Sequence, residues 1–159
     1  QVILDVAKEF AGISGREYGF FEEYKTEDAD YIILLIGSAA GTAKDAADQL
    51  RKEGVKAGIL KLRVFRPFPA KEIAQALKNC KAAAILDRCE SYNTNGGVLG
   101  SEVTAALYQN KIMIETVNYM YGLGGRDFTV EDARGVFEDL RNIVEHNAAP
   151  EQFKYIGLR

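Results

Sequence analysis

Apolar positions along the chain follow two alternating rhythms: stripes with a period near 3.6 and short unbroken runs. Residues 2–11 carry Ile3, Val6, Ala7 and Phe10 at helical spacing. The aromatic and acidic stretch 18–24 predicts an edge strand, and 26–30 a polar turn. Tyr31 to Ile36 is a continuous β-branched and aliphatic run, the mark of a strand covered on both faces. It stops at Gly37-Ser38, and a helix is predicted over 42–53, with Ala43, Ala46, Ala47 and Leu50 on one face. Twelve helical residues span about 18 Å and six strand residues about 20 Å, so the two can lie against each other as a βα unit.

The same unit then recurs. A strand over 55–64 gives way to Phe65-Arg66-Pro67-Phe68-Pro69, which must leave the sheet because proline cannot donate to a ladder. A helix over 70–79 turns Ile73, Ala74 and Leu77 inward, and a buried strand over 82–86 is closed by Asp87-Arg88. The polar loop 89–97 precedes a helix over 98–109, where Val103, Leu107 and the alanines face inward. A further strand covers 111–121 and breaks at Gly122-Leu123-Gly124-Gly125. Thr129 with Asp132 is a near relative of the capping box, and it opens a helix whose face is Val136, Phe137, Leu140, Ile143 and Val144. Residues 148–159 read as a tail with a turn at Pro150. Strands alternating with helices of this length imply right-handed crossovers. The predicted fold is a three-layer α/β/α domain with a mostly parallel sheet of about five strands.

Composition narrows the chemistry more than it alters the fold. The 159 residues include 20 Lys and Arg against 23 Asp and Glu, a net charge of −3. An acidic chain is a poor candidate for nucleic-acid binding, and no run approaches the roughly 20 apolar residues of a membrane span. Two cysteines, Cys80 and Cys89, are too few for a zinc or iron–sulfur site of their own, and the spacing is not C-x-x-C. They read as reduced thiols of a cytoplasmic protein. The single histidine, His146, reads as a surface imidazole, because no Ser or Cys motif accompanies it. A helix that begins at residue one without a cap reads as the start of a piece cut from something longer.

Ligands of open α/β sheets bind beyond the carboxyl ends of the strands. There Gly37-Ser38-Ala39-Ala40-Gly41-Thr42 is either a tight turn with a Ser or Thr cap or an anion site at a helix N-terminus. It is neither G-x-G-x-x-G nor a P-loop. Arg63, Arg66, Arg88 and Arg126 gather at strand ends. They could dock an anionic group or acidic surface, or pair internally with Asp87, Glu90 or Asp127. Tyr92, Asn93, Thr94 and Asn95 are turn formers that could also contact a ligand. Gly122 to Gly125, between Tyr121 and Arg126, permits positive φ or close backbone approach.

Five loop motifs occur in order: Gly15-Arg16-x-Tyr18, Gly37 to Thr42, Phe65-Arg66-Pro67-Phe68-Pro69, Asp87-Arg88, and Tyr121-Gly122-Leu123-Gly124-Gly125-Arg126-Asp127. Together they resemble the alpha subunit of 2-oxoacid:ferredoxin oxidoreductases, pyruvate:ferredoxin oxidoreductase above all. The matching region is that subunit's second domain, which resembles a transketolase C-terminal domain. The resemblance implies a mixed sheet with an antiparallel first strand, a linker helix over 1–14, the domain over 15–147 and a tail over 148–159. It implies that the whole enzyme oxidatively decarboxylates a 2-oxoacid with coenzyme A and passes electrons to ferredoxin. Thiamine diphosphate, Mg²⁺ and [4Fe–4S] clusters would serve it from outside this chain.

The role implied here is architectural, with no catalytic residue and no metal ligand. Arg66, Phe68, Arg88, Tyr92, Asn93, Gly124 and Arg126 are the candidate contacts to other domains or subunits. Gly37, Ser38, Gly41 and Thr42 are the candidate anion site. The rival readings are a flavodoxin-like small-ligand module and a pure protein-interaction module. In the family a small Ser- and Gly-rich loop usually follows Asp87-Arg88, whereas this chain has Cys89-Glu90-Ser91-Tyr92-Asn93-Thr94-Asn95. That departure leaves the 2-oxoacid open among pyruvate, oxalate, 2-oxoglutarate and branched-chain acids.

Overall fold

A computed structural model describes residues 1–92, 95–148, 151 and 153–157. In chain order the elements are α1 (Val2–Ser14), β1 (Phe21–Tyr24), β2 (Tyr31–Ile36), α2 (Ala39–Lys52), β3 (Ala57–Leu62), α3 (Ala70–Leu77), β4 (Ala82–Asp87), α4 (Val98–Gln109), β5 (Glu115–Met120), α5 (Val130–His146) and β6 (Phe153–Tyr155). The strands form one sheet in the order β1-β3-β2-β4-β5-β6. Only β1 runs antiparallel, its Phe21 opposite Leu62 and its Tyr24 opposite Ile59 of β3. Its four residues include Glu22 and Glu23, and a short, charged strand suits a sheet edge because it discourages further pairing.

Alternation along β2 divides the core. Ile33 and Leu35 face α2 and α5, where Ala43, Ala47, Leu50, Phe137 and Leu140 close over them. Ile32 and Leu34 face α3 and α4 and meet Ile73, Leu77, Leu99 and Val103. All but the last residue of β2 are buried, as its unbroken apolar run requires. Each fully buried Leu or Ile contributes roughly 1.5–3 kcal/mol. The three-layer α/β/α architecture with an antiparallel first strand is therefore as expected.

Several details differ from the sequence reading: β1 begins at Phe21 rather than 18 and β5 at Glu115 rather than 111, and three further differences lie elsewhere. Helix α2 begins at Ala39 rather than 42, because Ser38 already has helical φ and ψ and two alanines extend the turn. The glycine loop thus shrinks to Gly37-Ser38. Thr129 and Asp132 do form the reciprocal capping box, Thr129 Oγ1 accepting from the Asp132 amide at 3.1 Å and Asp132 accepting from the Thr129 amide at 2.8 Å. The tail adds a sixth strand: β6 pairs in parallel with β5, Asn118 opposite Phe153 and Met120 opposite Tyr155. Lys154 fastens it to α5 through Asp139 at 2.8 Å. The turn expected at Pro150 lies outside the described residues.

Candidate functional site

The carboxyl ends of β2, β4 and β5 carry the polar chemistry. Asp87 ends β4 with its side chain toward α4. Its Oδ1 accepts from the Leu99 amide at 3.0 Å, and its Oδ2 from the Gly100 amide at 2.9 Å. These are first-turn amides of a helix whose own N-cap, Gly97, has no side chain to offer. A carboxylate there also matches the positive end of the helix dipole. Asn118 of β5 completes the arrangement. Its Nδ2 donates to Asp87 at 2.9 Å and to the Ile85 carbonyl at 2.8 Å, and its Oδ1 accepts from the Gly97 amide at 2.7 Å. The approach is so close that a Cβ on Gly97 would lie 2.1 Å from Asp87 Cγ, and one on Gly100 2.5 Å from Asn118 Cγ. The sequence reading missed this cluster. Its signal was a polar Asn118 inside a buried strand, with glycines three apart at a helix start.

Arg88 follows Asp87 and turns toward α2. Crossovers leave β2 and β4 in opposite directions, α2 leading to β3 and α4 to β5, so a crevice opens between the two strand ends. It holds about 380 Å³ and is lined by Ser38, Ala39, Thr42, Arg88, Tyr121, Gly125, Arg126, Asp127 and Phe128. The Arg88 guanidinium lies 5.5 Å from the centre of the Tyr121 ring. Tyr121 is buried and stacks obliquely on Phe128 at 5.1 Å; burial raises its hydroxyl above the ordinary tyrosine value. Gly122 has φ +67, and a Cβ there would fall 2.9 Å from Arg88 Nη2. The turn and the ring together flank the guanidinium, which is itself exposed. Arg126 folds back so that its Nη1 donates to the Leu123 carbonyl at 3.2 Å.

The four strand-end arginines thus divide into two pairs. Arg63 is bound to Glu22 at 2.8 Å and Arg66 to Glu102 at 2.6 Å. Arg66 also lies over the Phe65 ring, against which Phe68 packs edge-on at 6.1 Å. Among the described residues Arg88 and Arg126 have no carboxylate partner. Of those weighed from the sequence, Asp87 caps α4 and Glu90 accepts from the Tyr155 hydroxyl, while Asp127 lines the crevice with both arginines and forms no ion pair with either.

Of the anion-site candidates, Ser38 and Thr42 line the crevice. Gly37 has φ +92, Gly41 sits in the first turn of α2, and both face open space. Gly124 holds a positive φ of 65° in the 3-10 turn Leu123–Gly125. Tyr92 is fully exposed, and Asn93 lies outside the described residues. Cys80 is buried, its thiol pushed up to about 12 by that burial, whereas Cys89 is exposed. Among the described residues no group of three His, Cys, Asp or Glu side chains could hold a metal ion, and no helix is long and apolar enough to cross a membrane.

Two solved structures share this architecture. A split-gene transketolase, in an inactive tetramer, superimposes with a TM-score of 0.61 over 81% of this chain and 44% of its own at 18% identity. The 2-oxoglutarate:ferredoxin oxidoreductase of Magnetococcus marinus does so with a TM-score of 0.57 over 84% of this chain and 21% of its own at 19% identity. The fold is that of a transketolase C-terminal-like domain.

Sequence comparison is more specific. Residues 29–133 match the model of pyruvate:ferredoxin oxidoreductase core domain II, and the chain belongs to that family. It is 40% identical to the ketoisovalerate oxidoreductase subunit VorA of Pyrococcus horikoshii and 39% identical to the pyruvate synthase subunit PorA of Thermotoga maritima. In both comparisons all of this chain is aligned, and it spans 40% of the relative's length.

Proposed function

We propose that this chain is the second domain of the alpha subunit of a 2-oxoacid:ferredoxin oxidoreductase, and that it works by assembling the enzyme. The whole enzyme would decarboxylate a 2-oxoacid oxidatively with coenzyme A and pass electrons to ferredoxin in the cytoplasm. The relatives' names bracket the substrate between pyruvate and a branched-chain acid. Thiamine diphosphate, Mg²⁺ and [4Fe–4S] clusters would be held by other residues than these. A cluster needs four thiolates; this chain has two cysteines, and the Cys80 Sγ is engaged with the Leu77 carbonyl at 3.1 Å.

The observation that carries the assembly role is α1. None of its thirteen residues is buried, yet Val2, Val6 and Ile13 expose 74%, 57% and 85% of their surface. These three share one face, at i, i+4 and i+11, and an apolar stripe of that kind is stable in water only when covered. Residues 1–14 then act as the linker that packs on a neighbouring domain. Arg88, Tyr92, Gly124 and Arg126 stand at the strand-end rim open to further contacts, whereas Arg66 and Phe68 are already engaged within the chain. Replacing Val6 and Ile13 by Lys should leave the melting temperature of the chain unchanged while recovery of the assembled oxidoreductase falls about tenfold, equivalent to roughly 1.4 kcal/mol. Undiminished assembly would sink the reading, as would 2-oxoacid oxidation by the 159-residue chain alone.

A further inference from the structure

We propose that the crevice between β2 and β4 binds a phosphate monoester of a hydroxylated small molecule, its phosphate held by Arg88 and Arg126. The inference is independent of the family assignment, since it rests on how this chain distributes its charges.

Five arginines, Arg51, Arg63, Arg66, Arg134 and Arg141, each have a carboxylate within 2.6–2.9 Å. In a protein with more acids than bases, such pairing is the expected fate of a guanidinium. Among the described residues Arg16, Arg88 and Arg126 lack it, and of these Arg88 and Arg126 line the same cavity. Arg88, itself exposed, is flanked by the Tyr121 ring and the positive-φ turn at Gly122. A guanidinium flanked in this way, with no carboxylate bound to it, loses less side-chain freedom when an anion arrives than an unflanked one would.

The cavity's shape and lining select the ligand class. About 380 Å³ at a strand-end crevice is the size and place of a small-molecule site rather than of a flat docking face. Two guanidinium forks present more donors than one carboxylate can use, and their combined charge matches a phosphate dianion. Ser38 and Thr42 also line the cavity, and the Ser38 side chain caps nothing in α2. Asp127 also lines the cavity. Its carboxylate repels phosphate but accepts hydrogen bonds from hydroxyls. The ligand must therefore be polar at both ends, with phosphate oxygens toward the arginines and a hydroxyl toward Asp127.

Ribose 5-phosphate is a suitable probe, with ribose and succinate as controls at matched ionic strength. Thermal unfolding of the 159-residue chain in about 10 mM ribose 5-phosphate should show a rise in melting temperature by mass action. Ribose, which lacks the phosphate, and succinate, a dianion without one, should give none. Arg88→Gln and Arg126→Gln should each weaken binding at least about tenfold, the loss expected when a charge-assisted contact is removed. Asp127→Asn should preserve or strengthen the response to inorganic phosphate, because a repelling charge is removed, while weakening that to ribose 5-phosphate relative to it. No shift with ribose 5-phosphate, an equal shift with succinate, or an undiminished shift in the doubly substituted Arg88→Gln, Arg126→Gln chain would each overturn the proposal.

Discussion

Asp87 and Arg88 are neighbours in the chain, yet they face two unlike environments. At the end of a strand successive side chains point to opposite faces. Asp87 turns toward α4, where it accepts from two backbone amides and from Asn118. Arg88 turns toward α2, onto an aromatic ring and into an open cleft. The first side is closed: no side-chain nitrogen or oxygen buried among the described residues lacks a hydrogen bond. The second has donors to spare. One strand end thus supplies both a structural clamp and a group free to act, and pleat direction alone separates the two roles.

The largest way to break the comparison is to open the closed side. Asp87→Ala removes three accepted hydrogen bonds, leaves the first turn of α4 uncapped and strips Asn118 of a partner. The expected loss is about 3 kcal/mol, read as a lower urea midpoint with little change in slope. The melting temperature should fall by roughly 6–12 °C. A loss below about 1 kcal/mol would mean that the helix start is held by something other than Asp87.

A smaller effect is expected at Tyr119, two residues before the tyrosine that underlies Arg88. Tyr119 is buried and donates to Asp139, which also binds Lys154 of β6. Burial, reinforced by that carboxylate, raises its hydroxyl above the ordinary value of 10.0. Because the folded value is raised, the neutral hydroxyl's contribution is complete below pH 10.0 and fades as pH rises through that value toward the folded one. Tyr119→Phe should cost about 1 kcal/mol at neutral pH. It should also flatten the decline in urea midpoint above about pH 10. An alkaline decline as steep as that of the unmodified chain would assign it to another group.

The closed and open sides were not equally legible in the sequence. Buried strands such as Tyr31 to Ile36 were plain, because an unbroken aliphatic run has few other uses. Helices with a strong apolar stripe, α3 and α5, were placed within a residue or two. β6 was missed because Phe153-Lys154-Tyr155 is too short for alternation to show. Its place in the sheet comes from pairing with β5 and from the Lys154–Asp139 contact, both long-range. The start of α2 was placed three residues late for the opposite reason: Gly37 and Gly41 suggested a loop as far as Thr42, whereas Ala39 and Ala40 already continue the helix. The arginine rim was visible, but its division was not. Which arginines find Glu22 and Glu102, and which find no carboxylate among the described residues, depends on crossovers that bring residues 41 and 36 positions apart together.

That division gives the smallest effect and the sharpest test of the contrast. Arg88→Gln should change stability by less than about 1 kcal/mol, the worth of an exposed cation–π contact, because no ion pair is broken and no buried group is orphaned. Arg66→Gln provides the comparison: it breaks a half-exposed pair with Glu102, and exposed pairs of that kind are also worth under about 1 kcal/mol. Stability alone therefore cannot tell the two arginines apart. Salt can. Screening weakens an existing attraction, so the small cost of Arg66→Gln should shrink as sodium chloride rises, while that of Arg88→Gln should stay flat or reverse as Arg126 is relieved of a like charge across the cleft. If the two variants respond to salt in parallel, Arg88 has a carboxylate partner in solution, and the open side of the strand end is closed after all.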